Sequence, residues 1–433
     1  MKSSNSNSIK TIEPRKHLTG AVEFRGDKSI SHRYAMLAAI AEGRSEIYNF
    51  STSADCQSTL SCLEKLGARI HRKVDSLTIE GAGLRGLRAP ESILDAGNSG
   101  STMRMLSGIL AAQPFRSVLS GDGSLSRRPM KRIIDPLTKM GARIQAAPGG
   151  LPPLEIEGGA LHPIQYELPV ASAQVKTAVL LAGLFTEGQT SVIEPLPTRD
   201  HTEIALEQMG AKIVRNQKTI TLSGPARLAG KNVQVPGDIS SAAFFLVAAL
   251  LVPGSSLTLR HLGLNPTRTG LLDVLLSMGA CIRVIDRRVI HGEPTGDLQV
   301  ESSQLEGGEI PNEIIPGLID ELPVLSVLGT QTTGGLSFHG AAELRVKESD
   351  RLKAVAENLR RMGAEVKEFP DGLYVAGGQK LHGAEIETYS DHRIAMAFAV
   401  AGLFAEGATV IHDSACVGIS FPNFFDEMKR ISE

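Results

Sequence analysis

Leu63-Glu-Lys-Leu-Gly-Ala-Arg-Ile70 is a helix end, a glycine stop and the opening of a strand in one phrase. It returns as Leu137-Thr-Lys-Met-Gly-Ala-Arg-Ile144, Leu206-Glu-Gln-Met-Gly-Ala-Lys-Ile213, Leu275-Leu-Ser-Met-Gly-Ala-Cys-Ile282 and Leu359-Arg-Arg-Met-Gly-Ala-Glu-Val366. In each copy the glycine suits the left-handed C′ position, and a β-branched residue then opens a strand. A fixed signature at roughly seventy-residue spacing is an internal repeat, with a period long enough for each copy to be a small multi-element fold.

A second signature precedes each of these: an Ala/Leu-rich helix, a Gly or Pro stop, then a short strand. The apolar helices fall at residues 35–40, 103–110, 175–185, 242–250, 322–328 and 394–404. Each unit reads helix, strand, helix, Gly-Ala turn, strand, strand. The sixth is cut short, because residues 421–430 form a last helix with no Gly-Ala turn after it. Residues 8–24 are expected to supply its missing strands, so that both termini share one domain. Val233-Gln-Val-Pro-Gly237 follows the third repeat and carries a strong turn signal. The expected domains are therefore 26–235, and 1–25 with 236–433, joined by two chain crossings.

The 433 residues are 42% hydrophobic and 21% charged, as in soluble globular proteins. Aromatics make up 4% and Trp is absent, so stacking on nucleobases is not expected. Net charge is -2, which gives no global field for nucleic acid. Cys56, Cys62, Cys281 and Cys416 form no CxxC and suit a reducing cytosol. The stretch Met1 to Lys16 is Ser/Asn-rich, with no signal-peptide core. The longest apolar run, residues 242–252, is too short to span a bilayer. Gly81-Ala-Gly-Leu-Arg-Gly86 matches GxGxxG, but Leu87-Arg-Ala-Pro90 follows where a dinucleotide site needs a helix, so it reads as a repeat turn.

Chemistry gathers at the starts of the helices. Gly26-Asp-Lys-Ser-Ile-Ser-His-Arg33 feeds an apolar helix, with Lys28 and Arg33 as cations and Ser29 or Ser31 as cap. A helix N-terminus of this kind favours an anion. The plain alternative is a polar helix start with solvated cations. Asp95-Ala-Gly-Asn-Ser-Gly-Ser-Thr-Met-Arg104 is small and glycine-rich, and Gly97 and Gly100 permit close approach of backbone to ligand. Asn98 and Ser101 can donate or accept; Arg104 either faces the ligand or braces the loop. In Gly121-Asp-Gly-Ser-Leu-Ser-Arg-Arg-Pro129 one of Arg127 and Arg128 should point inward, with Pro129 in a first helical turn. Ser172 and Gln174 bracket another helix start. Thr198-Arg-Asp-His-Thr-Glu203 offers Arg199 to an anion and Asp200 or Thr202 as cap, while His201 is a catalyst or a brace.

In the second half Asp320 or Glu321 either caps a helix or faces a cleft as a base. Lys347, Glu348 and Arg351 can share a helical face. A carboxylate between two cations stays ionised. Tyr389-Ser-Asp-His-Arg393 precedes the last apolar helix. Together Lys28, Arg33, Arg128, Arg199, Lys347, Arg351 and Arg393 imply a multiply anionic small molecule held between two lobes. No Walker lysine or kinase set is present, and no clustered ligand set points to a metal.

Seven motifs in combination give the chain its resemblance: Gly26-Asp-Lys-Ser-Ile-Ser-His-Arg33, Gly97-Asn-Ser-Gly-Ser-Thr-Met-Arg104, Arg127-Arg-Pro129, Ser172-Ala-Gln174, Arg199-Asp-His201, Lys347-Glu-Ser-Asp-Arg351 and Asp391-His-Arg393. From Thr19 to about Phe425 the chain resembles the 5-enolpyruvylshikimate-3-phosphate (EPSP) synthases. The resemblance implies an α/β fold of two lobes, each of three βαβαββ units, in an inside-out α/β barrel whose lobes close on the substrates. It implies transfer of the enolpyruvyl group of phosphoenolpyruvate to the 5-hydroxyl of shikimate 3-phosphate, on the route to chorismate and the aromatic amino acids. It implies no cofactor, no metal, no nucleic-acid or membrane partner, a monomer and a cytoplasmic location.

Residue by residue, the resemblance makes Lys28, Ser29, Arg33, Ser172, Ala173, Gln174, Arg199, Asp320 and Lys347 ligands of shikimate 3-phosphate. Lys28, Asn98, Gly100, Arg128, Gln174, Glu348, Arg351 and Arg393 bind phosphoenolpyruvate. Asp320 takes the proton of the 5-hydroxyl, and Glu348 and Lys28 serve proton transfer at the methylene carbon. The inhibitor glyphosate is expected against Gly100. The chain departs from one branch of the family at His32, Ser124 and Ile419, where that branch has Asn, Arg and Lys, and so looks like the divergent bacterial class. The sister family, the UDP-N-acetylglucosamine enolpyruvyl transferases, usually carries a reactive Cys in the loop matching residues 121–128, and this loop has none. A non-catalytic binding protein on the same repeat is the other alternative.

Overall fold

The computed structural model describes residues 8–432; residues 1–7, the front of the stretch read as lacking a signal peptide, lie outside the described residues. The repeated phrase is one structural device used five times. Gly67, Gly141, Gly210, Gly279 and Gly363 have φ of +90, +105, +96, +89 and +87°. Each glycine N–H donates to the carbonyl three residues back, and the next alanine N–H to the carbonyl five back, at 2.9 to 3.1 Å. That pair of bonds is the Schellman motif, which satisfies carbonyls the helix end would otherwise orphan. An L side chain in this backbone region is disfavoured by about 1–2 kcal/mol, hence glycine.

Between these stops the chain builds βαβαββ units. In the third, the strand Gln165–Glu167 leads to the helix Ala173–Gly183 and the parallel strand Gly188–Ile193. The helix His201–Gln208 follows, then the hairpin Lys212–Asn216 and Thr219–Gly224, whose second strand pairs antiparallel with Gly188–Ile193. Five sheets have four strands in this order and the sixth has three. The first helix of each unit starts at or just after polar residues, is largely apolar beyond them and is buried almost throughout, as a core helix is. Lys28–Ile40, Gly100–Leu110 and Ala173–Gly183 share one core; Ile239–Leu251, Leu322–Gly329 and His392–Gly402 share another. No helix among the described residues is long and apolar enough to cross a membrane.

The chain forms two compact units. The first holds the described residues up to Phe24, Gly237–Arg288 and the described residues from Pro294 on; the second holds Arg25–Pro236 and Val289–Glu293. The short N-terminal strands do not both go to the sixth repeat, as the sequence reading expects. Lys10–Ile12 does, pairing antiparallel with Thr409–Ile411. Thr19–Glu23 instead pairs parallel with Ser256–Gly263 and opens the fourth sheet. Its counterpart, Asn232–Gln234, opens the first sheet beside Glu42–Tyr48. Besides the joins near residues 24 and 236, the hairpin of Cys281–Ile290 and Glu293–Glu301 sends its tip, Val289–Glu293, into the second unit. Those two further joins are absent from the sequence reading. Gly81–Gly86 ends the strand Ser76–Ala82 with no helix after it.

Candidate active site

In the unit of residues 25–236, three helix starts carry the expected groups. Asp27 caps Lys28–Ile40, its Oδ1 accepting from Ile30 N at 2.9 Å, so neither Ser29 nor Ser31 is the cap. Lys28 Nζ lies 2.7 Å from Asp55 Oδ2. Arg33 is 2% exposed. Its Nε donates to Thr202 Oγ1 at 2.6 Å, Nη2 to Thr177 Oγ1 at 3.0 Å, and Nη1 to Ser29 O and Oγ at 2.8 and 2.7 Å. A guanidinium so bonded presents a fixed fork. Burial pushes Arg33 down to about 10; the Glu203 carboxylate opposes this and the Arg199 cation adds to it. Arg33 and Arg199 thus repel one another, a pairing that an anion relieves. His32 is buried with Nδ1 2.7 Å from Thr59 Oγ1, and burial, with Lys28 and Arg33, holds it well below the usual histidine range.

Ser99 caps the helix Gly100–Leu110, accepting from Thr102 N at 3.0 Å. Arg128 is the buried member of its pair and Arg127 is exposed. Arg128 donates to Asn98 O at 3.1 Å, to Asn98 Oδ1 at 2.8 Å and to Ser124 Oγ at 2.9 Å. Asn98 in turn donates to Asp122 Oδ2 at 2.7 Å. Pro129 is not in a first turn; the helix begins at Lys131 with Met130 as cap residue. Arg104 is tied to Gln174 Oε1 at 2.8 Å, and Gln174 Nε2 donates to Ser101 Oγ at 2.9 Å. Ser172 caps Ala173–Gly183. Asp200 stands at the cap of His201–Gln208 without a side-chain bond to it and accepts from Arg215 at 3.1 Å. His201 is the brace: its Nδ1 lies 2.7 Å from Glu293 Oε1, both buried.

In the other unit one guanidinium organises the charge. Arg351, 1% exposed, donates from Nε to Asp391 Oδ2 at 2.8 Å and from Nη2 to Glu348 Oε2 at 2.6 Å. Its Nη1 is 3.6 Å from Asp320 Oδ1. Lys347 and Arg351 share no helical face, because the helix Arg351–Arg361 begins only at Arg351, capped by Asp350. Burial alone would lower Arg351; Asp391 and Glu348 outweigh it and raise the guanidinium above its ordinary range. Burial would likewise raise Asp391, and Arg351 more than offsets that. Burial lowers the Lys347 ammonium, against the pull of Asp320. Arg393 Nη1 donates to Asp320 O at 2.7 Å, and its guanidinium is 3.8 Å from the carboxylates of Asp320 and Glu321. Glu321 stands at the cap of Leu322–Gly329 without a side-chain bond to it.

Sequence reasoning missed Arg268. It is buried, bonds Ser240 Oγ and lies 3.4 Å from Glu321 Oε1. The signal was positional: it stands two residues before the helix Gly270–Ser277, as Arg199 does before its own helix. Among the described residues no group of His, Cys, Asp and Glu side chains is placed to hold a metal.

Two cores of three repeat units, each with cations and caps at the starts of its buried helices, are the architecture of an enolpyruvyl transferase. Solved structures place it there. EPSP synthase from Acinetobacter baumannii matches with a TM-score of 0.86 and 44% identity over 98% of both chains. The enolpyruvyl transferase NikO from Streptomyces tendae, at 18% identity and TM-score 0.78, shares the fold. The EPSP synthase (3-phosphoshikimate 1-carboxyvinyltransferase) family model matches residues 12–428. The 3-phosphoshikimate 1-carboxyvinyltransferases of Solibacter usitatus and Koribacter versatilis are 56% and 55% identical over 98% of this chain and 100% and 99% of their own. The chain belongs to the EPSP synthase family. Its reaction is transfer of the enolpyruvyl group of phosphoenolpyruvate to shikimate 3-phosphate.

Proposed function

We propose that the residues just described divide this reaction as follows. Ser29, Arg33, Ser172, Ala173, Gln174, Arg199 and Lys347 hold shikimate 3-phosphate. Arg128, Arg351 and Arg393, with Asn98 and Gly100, hold phosphoenolpyruvate, and Lys28 touches both. Asp320 accepts the proton of the 5-hydroxyl as that oxygen attacks C2 of phosphoenolpyruvate, and C3 gains a proton from Lys28. The tetrahedral ketal phosphate then loses a C3 proton, to Glu348, and phosphate to give the enol ether. No covalent enzyme intermediate is required. Fixed cations facing two phosphates and a carboxylate stabilise charge without reorganising at the moment of reaction.

The observation that carries this reading is the sharing of Arg351. The two proposed acid–base carboxylates, Asp320 and Glu348, stand 3.6 and 2.6 Å from opposite ends of one buried guanidinium. A neighbouring cation favours the ionised form of a carboxylate. That suits Asp320 to accept the hydroxyl proton and Glu348 to accept the C3 proton in the elimination half. The Lys28 ammonium supplies the proton that C3 gains in the addition half. Arg351 also fixes both against Asp391, so their positions are set before substrate arrives. We further propose a cytoplasmic monomer. Phosphate release measured with both substrates, and with each omitted in turn, tests the reaction. The same assay on single substitutions of Asp320, Glu348 and Arg199 tests the roles, and light scattering on the eluting peak tests the monomer.

A further inference from the structure

We propose that Glu293 is a positioning residue for shikimate 3-phosphate, acting through His201 on the segment that carries Arg199 and orients Arg33. The inference rests on the ligand roles of Arg33 and Arg199 proposed above.

The helix His201–Gln208 is fastened by three consecutive side chains of its first turn. His201 Nδ1 meets Glu293 Oε1 at 2.7 Å. Thr202 Oγ1 accepts from Arg33 Nε at 2.6 Å and lies 2.6 Å from Thr177 Oγ1. Glu203 Oε1 lies 2.6 Å from Lys176 Nζ. All these side chains are buried, while Glu293's neighbours on the hairpin tip, His291 and Gly292, are exposed. The cap residue Asp200 makes no side-chain bond to the helix, so its start lacks the usual local anchor. The anchor comes instead from sequence-distant groups.

Two of these anchors come from outside the repeat: Arg33, on Thr202, and Glu293, on His201. Thr177 and Lys176 sit on the neighbouring helix of the same repeat, whereas Glu293 arrives ninety-two positions later on the hairpin tip. The tip follows a strand whose body belongs to the other unit. Within the second unit the Glu293 charge reaches further than His201. It opposes the lowering of Arg33 by burial, and it adds to burial in pushing the Tyr34 hydroxyl upward. His201 Nε2 is buried with no hydrogen-bond partner among the described residues, so Glu293 is the ring's one hydrogen-bonded hold. Release of that hold frees the ring, the turn behind it and Thr202. Arg33 then loses its shortest bond, and Arg199, two residues before His201, loses its fixed base. A charge-assisted hydrogen bond of this kind is worth more than a neutral one, and its loss leaves a buried group unpaired.

The test is steady-state kinetics of the full chain with each substrate varied in turn. Glu293→Ala should raise KM for shikimate 3-phosphate roughly 5- to 30-fold, the size of one lost charged hydrogen bond partly transmitted. KM for phosphoenolpyruvate should stay within about twofold, since its proposed ligands lie elsewhere. Glu293→Gln keeps an acceptor for Nδ1–H and should fall between parent and alanine variant. His201→Ala combined with Glu293→Ala should be no worse than the poorer single variant, as for two members of one pair. An unchanged shikimate-3-phosphate KM, or equal rises for both substrates, overturns the proposal. Should Glu293→Ala not fold, Glu293→Gln decides: a rise of about threefold supports the role and none refutes it. Arg199→Ala is run alongside. If it leaves that KM unchanged, the ligand assignment falls and this proposal with it. If it raises KM while the Glu293 variants behave as parent, only the positioning role falls.

Discussion

The Glu348 carboxylate meets Arg351 Nη2 at 2.6 Å across a stretch that is not yet helical. The pair is therefore set by the loop and by the burial of Arg351 against Asp391, not by helical spacing. Glu348→Gln keeps the size and the bond but removes the titrating group. It should lower kcat by roughly 10²–10⁴, the scale of general acid–base catalysis, with shikimate-3-phosphate binding within a few-fold. Asp320→Asn should lose rate similarly. Turnover at saturating substrates, with calorimetric titration of shikimate 3-phosphate, checks both; a variant retaining more than about half the parent rate is not the proton carrier.

Gly100 opens its helix beside two arginines. A Cβ there would stand 2.8 Å from Arg104 Nη1 and 3.6 Å from Arg128 Nη1. Arg104 must swing, and it is tied to Gln174 at 2.8 Å, so the methyl disturbs a proposed ligand as well as filling space. Overpacking of this kind costs about 1–3 kcal/mol. The parent should be inhibited by glyphosate in competition with phosphoenolpyruvate. Gly100→Ala should weaken that inhibition roughly 5- to 150-fold, and phosphoenolpyruvate binding less. Inhibition constants at several phosphoenolpyruvate concentrations decide; an unchanged constant removes Gly100 as the determinant.

His32 should tilt stability with pH. Burial, then Lys28 and Arg33, hold its folded pKa well below the ordinary value near which the unfolded chain titrates. Below that ordinary value the unfolded chain binds a proton the folded one refuses, so stability falls as pH falls toward the folded pKa. The slope is at most about 1.4 kcal/mol per pH unit from this group. His32→Asn keeps a partner for Thr59 and removes the slope. Urea unfolding of both proteins at pH 6.5 and 5.5 should show the parent losing about 1 kcal/mol more than the variant. Parallel losses would leave His32 with no part in acid sensitivity.

Lys176 is buried between two acids, 3.1 Å from Glu194 Oε1 and 2.6 Å from Glu203 Oε1. Burial raises Glu194 against the pull of the lysine. Lys176→Met leaves both carboxylates buried without their cation, a loss of about 3–5 kcal/mol. Denaturant unfolding followed by circular dichroism measures it. A loss below about 1 kcal/mol would mean that the acids take up protons at little cost.

The sequence carries the repeat plainly because one glycine conformation, used five times, admits almost no other residue. It carries the first-helix starts less evenly: Ser172 caps the start that it is expected to bracket, whereas Ser99, unremarked between Asn98 and Ser101, caps the other. It misplaces what depends on where the helix begins within a few residues, as with Asp27 capping in place of Ser29, because both are good caps by type and Ser29 Oγ is taken up by Arg33. Arg128 is legible as the inward member of its pair only to the extent that one of two must turn in; Ser124 and Asn98 decide which. The destination of Thr19–Glu23 and the Glu293 clasp are not legible. Both depend on partners hundreds or scores of residues away, and a short strand or a single acid has no pattern that names its partner.

The exchange of opening strands sets a timetable for the ribosome. Thr19–Glu23 is among the first segments made, yet its partner strand, Ser256–Gly263, leaves the tunnel only after the whole of Arg25–Pro236. Until then it is an unpaired edge of the kind that invites wrong pairing. Arg25–Pro236 can collapse as it emerges, but its first sheet waits for Asn232–Gln234 and its His201 for Glu293. No single cut in the gene yields two self-sufficient halves. A nascent chain stalled before residue 293 should therefore hold the second unit's core without the finished Arg199 segment, ready for folding assistance before it is ready for substrate.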